Sequence, residues 1–348
     1  MTAFIRGTGL ISPQPVYADE FYSGNYVAPA DSRFACIEPD YASFIDAKAI
    51  RRMSRIIRMG LTSAMLSVRQ AEIQKPDAII VGTALGCLED TVSFLGKMVL
   101  NKEELLNPTA FIHSTHNTIA SQIALHFGCT GYNSTYVHRN LSFESAMMDA
   151  MLLLEDKVTE NVLIGGLDEL THESLIILQR LGYYGHPNAA VNNRNITGNE
   201  AGEGASFFTI SNERGKGRAI GIKDLETCSF PDEAAVRSAM EAFLRRNGRD
   251  GVDMVLSGRM GKEAEEESLG KFYGGISDAD FVYPFKKLCG EYASASAFAV
   301  YIAYRILAEN ALPSVISDSF SRSAPFGHIL VHNNYKNVHH SFILLSVC

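Results

Sequence analysis

The chain has 348 residues, 46% of them hydrophobic and 20% charged, which suits a globular protein with a large core in one or two domains. A formal net charge of −8 argues against nucleic acid as a partner, because phosphate binding needs a basic patch. No apolar run approaches the roughly 18 residues of a membrane span, and the N-terminal MTAFIRGTGLISPQP lacks the basic-then-apolar pattern of a signal peptide.

Ala3 to Ile11 reads as a first strand that ends before Pro13. An irregular Pro/Asp/Ser-rich excursion follows to Pro39. From Ile50 to Ile73 the spacing predicts a helix, since Ile50, Met53, Ile57, Leu61, Met65 and Val68 recur at three- and four-residue steps. Arg51, Arg52, Arg55 and Arg58 gather on its other side, as a solvated face or as a dock for an acidic partner. Asp77 to Thr83 reads as a buried strand, and Gly82 to Cys87 as a turn after it. Helix signals resume at Asn107-Pro108, and Thr118 to Phe127 is a small-residue-rich helix closed by Gly128.

Gly131 to Leu170 reads as strand (Asn133 to Val137), tight turn, helix (Leu141 to Leu154) and strand (Asn161 to Ile164). A side chain on such a turn sits at a helix N-terminus, where free N–H groups favour negative charge and can activate a thiol. The turn here carries His138, Arg139 and Asn140, with no Cys and no Ser before Ser142. The setting for covalent catalysis is present without its usual nucleophile.

Asn192 to Gly204 is a polar, Gly-rich loop, and Ala205 to Ile210 a strand. Gly215 and Gly217 mark a boundary between halves 1–214 and 215–348. In the second half, Arg218 to Thr227 and Val252 to Leu256 read as strands. Asp232 to Arg246 is a helix after Pro231, and Ala293 to Glu309 a buried helix with Pro313 beyond its end. His328 to His332 and Ser341 to Val347 close the chain as strands. Alternating strands and helices imply an α/β architecture with largely buried sheets, and the similar halves imply an internal duplication.

Several blocks together resemble the β-ketoacyl synthases of the thiolase superfamily. NPTAFIHSTHNTIASQIALHFGCTG (Asn107 to Gly131) resembles the family's "N-x-x-A-S-Q-I-A-x-x-F-G-x-x-G". STYVHRNLSFESAMMDAMLLLEDKVTENVLIGGLDELT resembles its nucleophile strand, elbow and helix, ending near "G-G-x-E". ITGNEAGEGASFFTI (Ile196 to Ile210) resembles "x-x-G-E-G-A-G". The resemblance covers nearly the whole chain and implies a thiolase-like, duplicated α/β fold layered αβαβα.

The family's condensation chemistry uses a Cys at the elbow and two His in the second half, in "A-H-G-T" and "K-S-x-x-G-H" contexts. Counting back from Gly165-Gly166 puts Asn140 at the Cys position; a turn about three residues longer leaves His138 or Arg139 as alternatives. VLSGRMG places Gly258 nearest the first His, and KKLCGEYASASAFAV places Glu291 at the second, at the start of a helix. The family's late glycine-rich loop meets HNNYKNVHHSF (His332 to Phe342), whose glycines are gone. An amide is no nucleophile, and a carboxylate opposes an enolate.

This pattern is similar to the chain-length factors of type II polyketide and aryl-polyene pathways. They lack the Cys, pair with an active synthase subunit and form one wall of its acyl tunnel. The resemblance implies a catalytic ketosynthase subunit and an acyl carrier protein as partners, with His138, Arg139 and Tyr335 toward the tunnel. It also implies a homodimer or heterodimer meeting near Ser134 to Val137, and no cofactor or metal. Two other readings stay open: an acyltransferase or decarboxylase with other catalytic residues, and an acyl- or carrier-binding protein.

The six Cys are scattered without a CxxC pair, which points to free thiols in a reducing compartment, the cytoplasm, rather than a zinc site. Cys87 is an alternative thiol or an inert buried residue. His113 and His116 lack a third metal ligand. His339 and His340 point to opposite faces if they lie in a strand.

Overall fold

The computed structural model describes residues 2–15, 26–104, 106, 108–185, 199–260, 265–277, 281–317, 319–320 and 325–348. The strands in chain order are β1 (Ala3–Ile11), β2 (Arg33–Phe34), β3 (Ala78–Gly82), β4 (Asn133–Tyr136), β5 (Asn161–Asp168) and β6 (Ala201–Gly202). They continue with β7 (Gly204–Ser211), β8 (Ile220–Ser229), β9 (Met254–Ser257), β10 (Val282–Pro284), β11 (His328–Tyr335) and β12 (His339–Val347). The main helices are α1 (Arg55–Gln70), α2 (Leu88–Leu100), α3 (Pro108–His113), α4 (Thr118–Phe127) and α5 (Ser142–Glu155). After them come α6 (His172–Arg180), α7 (Glu233–Arg246), α8 (Glu266–Tyr273) and α9 (Ala295–Glu309).

Ten strands run in the order β10-β9-β11-β12-β8-β1-β7-β5-β3-β4. The row is two sets of five, paired where Ala3 and Phe4 of β1 meet Ile222 and Gly221 of β8. Side-chain alternation along the strands sorts the core into three layers. Ile79, Val81, Leu163 and Phe207 face outward to α1 and α4. Ile80, Val162, Ile164 and Phe208 face inward to α5 and α9, where they share a core with Ile329, Val331, Ile343 and Leu345 of the second set. On the far side, Leu330, Phe342 and Leu344 pack against α7 and α8. The result is a thiolase-like αβαβα stack. β3 and β5 read as unbroken apolar runs because both their faces are covered by helices.

Close packing of α1 on β1 depends on Gly9, since a Cβ there would lie 1.9 Å from the Ser63 carbonyl oxygen. Three differences from the sequence reading matter for the site. Helix α1 begins at Arg55 after Ser54, so Arg51 and Arg52 lie in the preceding turn and not on a helix face. The stretch after Gly82 leads into α2, a helix with no fully buried residue that the sequence reading did not mark. The glycine-poor segment at 332–342 is no loop: β11 runs to Tyr335 and turns tightly into β12. Lys336 and Asn337 both have positive φ (55° and 54°), and the Val338 N–H donates to the Tyr335 carbonyl at 2.9 Å, as in a type I′ turn. The expected loop from Asn192 lies outside the described residues as far as 198, as do Asn107, ahead of α3, and positions 16–25 of the N-terminal excursion.

Candidate functional site

The elbow follows β4, the outermost strand of its set. Arg139 takes φ of 50°, the strained position of the turn, and Arg139–Leu141 form a single 3-10 turn. Ser142 closes that turn: its Oγ accepts from the His138 N–H at 2.9 Å and donates to the Arg139 carbonyl at 2.5 Å. Its hydroxyl is thereby committed to the backbone. Asn140 is buried, at 2% exposure, whereas His138 and Arg139 are exposed. Neither amide atom of Asn140 has a hydrogen-bond partner. His138 Nδ1 lies 3.3 Å from Ser145 Oγ.

Gly258 directly follows β9, wedged against β11. A Cβ at this position would meet the Asn334 backbone nitrogen at 2.6 Å and Asn333 Cα and Oδ1 at 2.9 Å. Backbone fills the space that an imidazole would need.

Glu291 does not sit on a helix N-terminus, as the sequence suggested; α9 starts only at Ala295. It forms a buried ion pair with Lys286. The Lys286 ammonium donates to both Glu291 carboxylate oxygens at 2.9 Å and to the Asn334 carbonyl at 2.7 Å. Burial pushes the Glu291 carboxyl up, and the Lys286 ammonium opposes that shift. The Glu291 carbonyl accepts from the Gly202 N–H and the Tyr184 hydroxyl, so β6 is tied to the same point.

These second-half positions therefore converge on the end of β11, Gly258 through Asn333 and Glu291 through Lys286 and Asn334. The elbow faces the hairpin tip: the Arg139 charge acts on both Tyr335 and His339. Tyr335 is half-buried, and the Lys336 ammonium sits 2.9 Å from the centroid of the Tyr183 ring. His138 and Arg139 are exposed beside this hairpin tip, whereas Asn140 is buried and has no hydrogen bond to Glu291.

The Arg stripe takes another form in the structure. Arg55 turns inward and holds Glu203 through two 2.7 Å bonds, with Glu38 alongside. Glu203 also accepts from the Cys36 and Leu170 N–H groups, so the "G-E-G-A" glutamate is a structural anchor held well within its ionised range. Asp168, in "G-G-L-D", likewise joins the Ala84 N–H to the Ser294 N–H ahead of α9. Cys87 is fully buried, and burial pushes its thiol far up, as for an inert residue. Among the described residues, no three His, Cys, Asp or Glu side chains are placed to hold a metal.

One buried chain escaped the sequence reading. Ser257 Oγ lies 2.8 Å from the Tyr273 hydroxyl, which lies 2.6 Å from His332 Nδ1; His332 Nε2 is 3.0 Å from His340 Nδ1. The two rings stack at 5.3 Å. The only sequence signal was that His340 shares a strand face with Phe342, opposite His339. Burial, then Arg259, pushes His340 down to about 4, and burial takes His332 well below the ordinary value. The unfolded chain binds the proton more readily, near pH 6.5. Stability from His340 is therefore full above about pH 6.5 and is lost as pH falls toward 4. Replacing His340 with Phe should flatten the stability–pH curve in that window by up to about 1.4 kcal/mol per pH unit. Urea unfolding at pH 7.5, 6.0 and 5.0 checks this; parallel curves for the two proteins would refute it.

The β-ketoacyl synthase N-terminal domain family matches residues 29–174. No curated protein sequence matches the chain. Among solved structures, the chain is similar to the ishigamide ketosynthase/chain length factor, with a TM-score of 0.75, 18% identity, and 100% of this chain and 99% of that one covered. It is similar to AntDE:AntF, a type II polyketide ketosynthase in complex with its acyl-carrier protein, with a TM-score of 0.72, 15% identity, and 100% and 99% covered. A third is the ketosynthase ApeO with its chain length factor ApeC from Xenorhabdus doucetiae, with a TM-score of 0.75, 13% identity, and 100% and 98% covered. The chain has the fold of ketosynthases and chain length factors.

Proposed function

We propose that this chain is a non-condensing, chain-length-factor-like partner of a β-ketoacyl synthase, duplicated as halves 1–214 and 215–348. The observation that carries this reading is the backbone packed against Gly258, which leaves no space for a catalytic imidazole. Asn140 at the elbow and the Lys286–Glu291 pair at the other histidine position agree with it. The chemistry of condensation then belongs to the Cys of a partner synthase, fed by an acyl carrier protein. This chain supplies a wall of the acyl tunnel, with His138, Arg139 and Tyr335 at its own mouth. The matched ketosynthase/chain length factor pairs support the reading.

In this reading β4 is the assembly edge. It is one of the two ends of the ten-stranded row, and its flank carries Tyr132 at 43% and Val137 at 49% exposure. An open edge with apolar neighbours invites pairing, and a two-fold contact lets β4 meet its counterpart. Such an interface should bury above roughly 2,000 Å² in total. The pure protein should sediment as a dimer at micromolar concentration, and Val137→Asp should shift it toward monomer by at least tenfold in dissociation constant. A monomeric wild type that also binds no synthase would defeat the proposal.

A further inference from the structure

A cleft of about 460 Å³ lies beside β1, between α1 of the first half and α9 of the second. The two helices pack on opposite faces of that strand, so the cleft sits at a sheet edge where the halves meet. β1 pairs with β8 at Ala3 and Phe4, and the cleft opens further along, over Thr8, Gly9 and Leu10. Three strands separate β1 from β4 in the row, which places the cleft away from the elbow and from the proposed assembly edge.

Each half contributes one guanidinium to the lining, Arg69 from α1 and Arg305 from α9. Arg305 is held in place: it donates to the buried Tyr301 hydroxyl at 2.9 Å, and Glu309 lies 3.9 Å from it. Arg69 is exposed and has no ion pair among the described residues. The Gln70 amide is turned in one sense, because its Oε1 accepts from the Thr8 N–H at 2.7 Å and from the Thr8 hydroxyl at 2.9 Å. Both Nε2 donors are then left without a partner among the described residues. Leu66, Ala308 and the half-buried Tyr304 ring supply apolar surface beside these groups.

Two guanidinium groups against the single Glu309 carboxylate leave one positive charge, which a monoanion balances and a dianionic phosphate exceeds. A guanidinium takes a carboxylate through paired N–H bonds, and an aromatic face beside it suits a flat apolar body. The cleft has the size of a small-molecule site, roughly 300–1,000 Å³. We propose that it binds a small aryl carboxylate, with the carboxylate held by Arg69 and Gln70 Nε2 and the ring seated between Leu66 and Tyr304. The site is independent of whether the chain condenses acyl groups.

Two measurements test it. Crystals soaked in 4-bromobenzoate should show an anomalous bromine peak between Leu66 and Tyr304. In solution, calorimetry should register 4-bromobenzoate binding to the wild type. Arg69→Ala should weaken that binding by about tenfold or more, and so should replacing the probe with neutral 4-bromobenzamide. Arg69→Ala should keep the wild-type unfolding midpoint, since the side chain is exposed, so that the loss is local to the cleft. A bromine peak only at the elbow, no peak at all, or equal affinity for Arg69→Ala and wild type would overturn the proposal.

Discussion

Replacing Lys286 with Met, or Glu291 with Gln, should lower stability by about 3–5 kcal/mol, because either change leaves its buried partner without a counter-charge. Both residues are nearly inaccessible, at 1% and 2% exposure. Loss of the lysine also strips the Asn334 carbonyl of its donor. The Lys286→Met/Glu291→Leu double variant should recover most of the loss, since two apolar side chains of similar volume replace a pair whose attraction largely offsets its own desolvation. Urea unfolding reads this as a midpoint shift at constant slope. Single variants within about 1 kcal/mol of wild type would show that the pair is not buried as described. A functional corollary follows: Glu291→His would remove the counter-charge of Lys286 and place a second basic group beside it.

The second large effect is expected at Gly258. A Cβ 2.6 Å from the Asn334 nitrogen must displace backbone of β11, which lies between β9 and β12 and cannot move freely. Gly258→His should therefore destabilise the fold by more than about 3 kcal/mol, at the upper end of what overpacking causes. Gly258→Ala should already be measurably destabilised. Asn140→Cys should by contrast be tolerated, because neither amide atom of Asn140 holds a neighbour in place. A soluble, cooperatively folded Gly258→His protein with wild-type stability would contradict the account of why the histidine is absent.

Much of the frame was legible from residue pattern. Ala3 to Ile11 matches β1 at both ends. The strand–turn–helix around Asn140 was placed to within a residue, because a short strand after Gly131 and the apolar β5 bracket a helix of ordinary length. What escaped notice shares a physical cause: information carried by contacts rather than by period. Helix α2 buries none of its residues fully, and its half-buried Leu88, Val92, Phe94 and Met98 went unread. The β11–β12 turn is made by Lys336 and Asn337 without a glycine, so the usual hairpin signal is absent. Arg55 looked like one member of a charged face, yet its partner Glu203 lies 148 positions away. Glu291 looked like a helix-end carboxylate because its pairing with Lys286 depends on the turn at Gly290, whose φ of 73° reverses the chain between them. The His332–His340 chain likewise needs the register of the hairpin before it can be seen.

The central claim is that this chain assembles with a condensing subunit and does not itself condense. The most direct test is to purify it from its native host by affinity tag and incubate the product with radiolabelled malonyl carrier protein and an acyl primer. Native mass spectrometry then identifies the assembly, and mapping of thioester-linked label identifies the acylated Cys. The account predicts a complex with a ketosynthase in which label is carried by the partner's Cys alone, and no condensation by this chain in isolation. Turnover by the isolated chain, with label on one of its own six Cys, would contradict it.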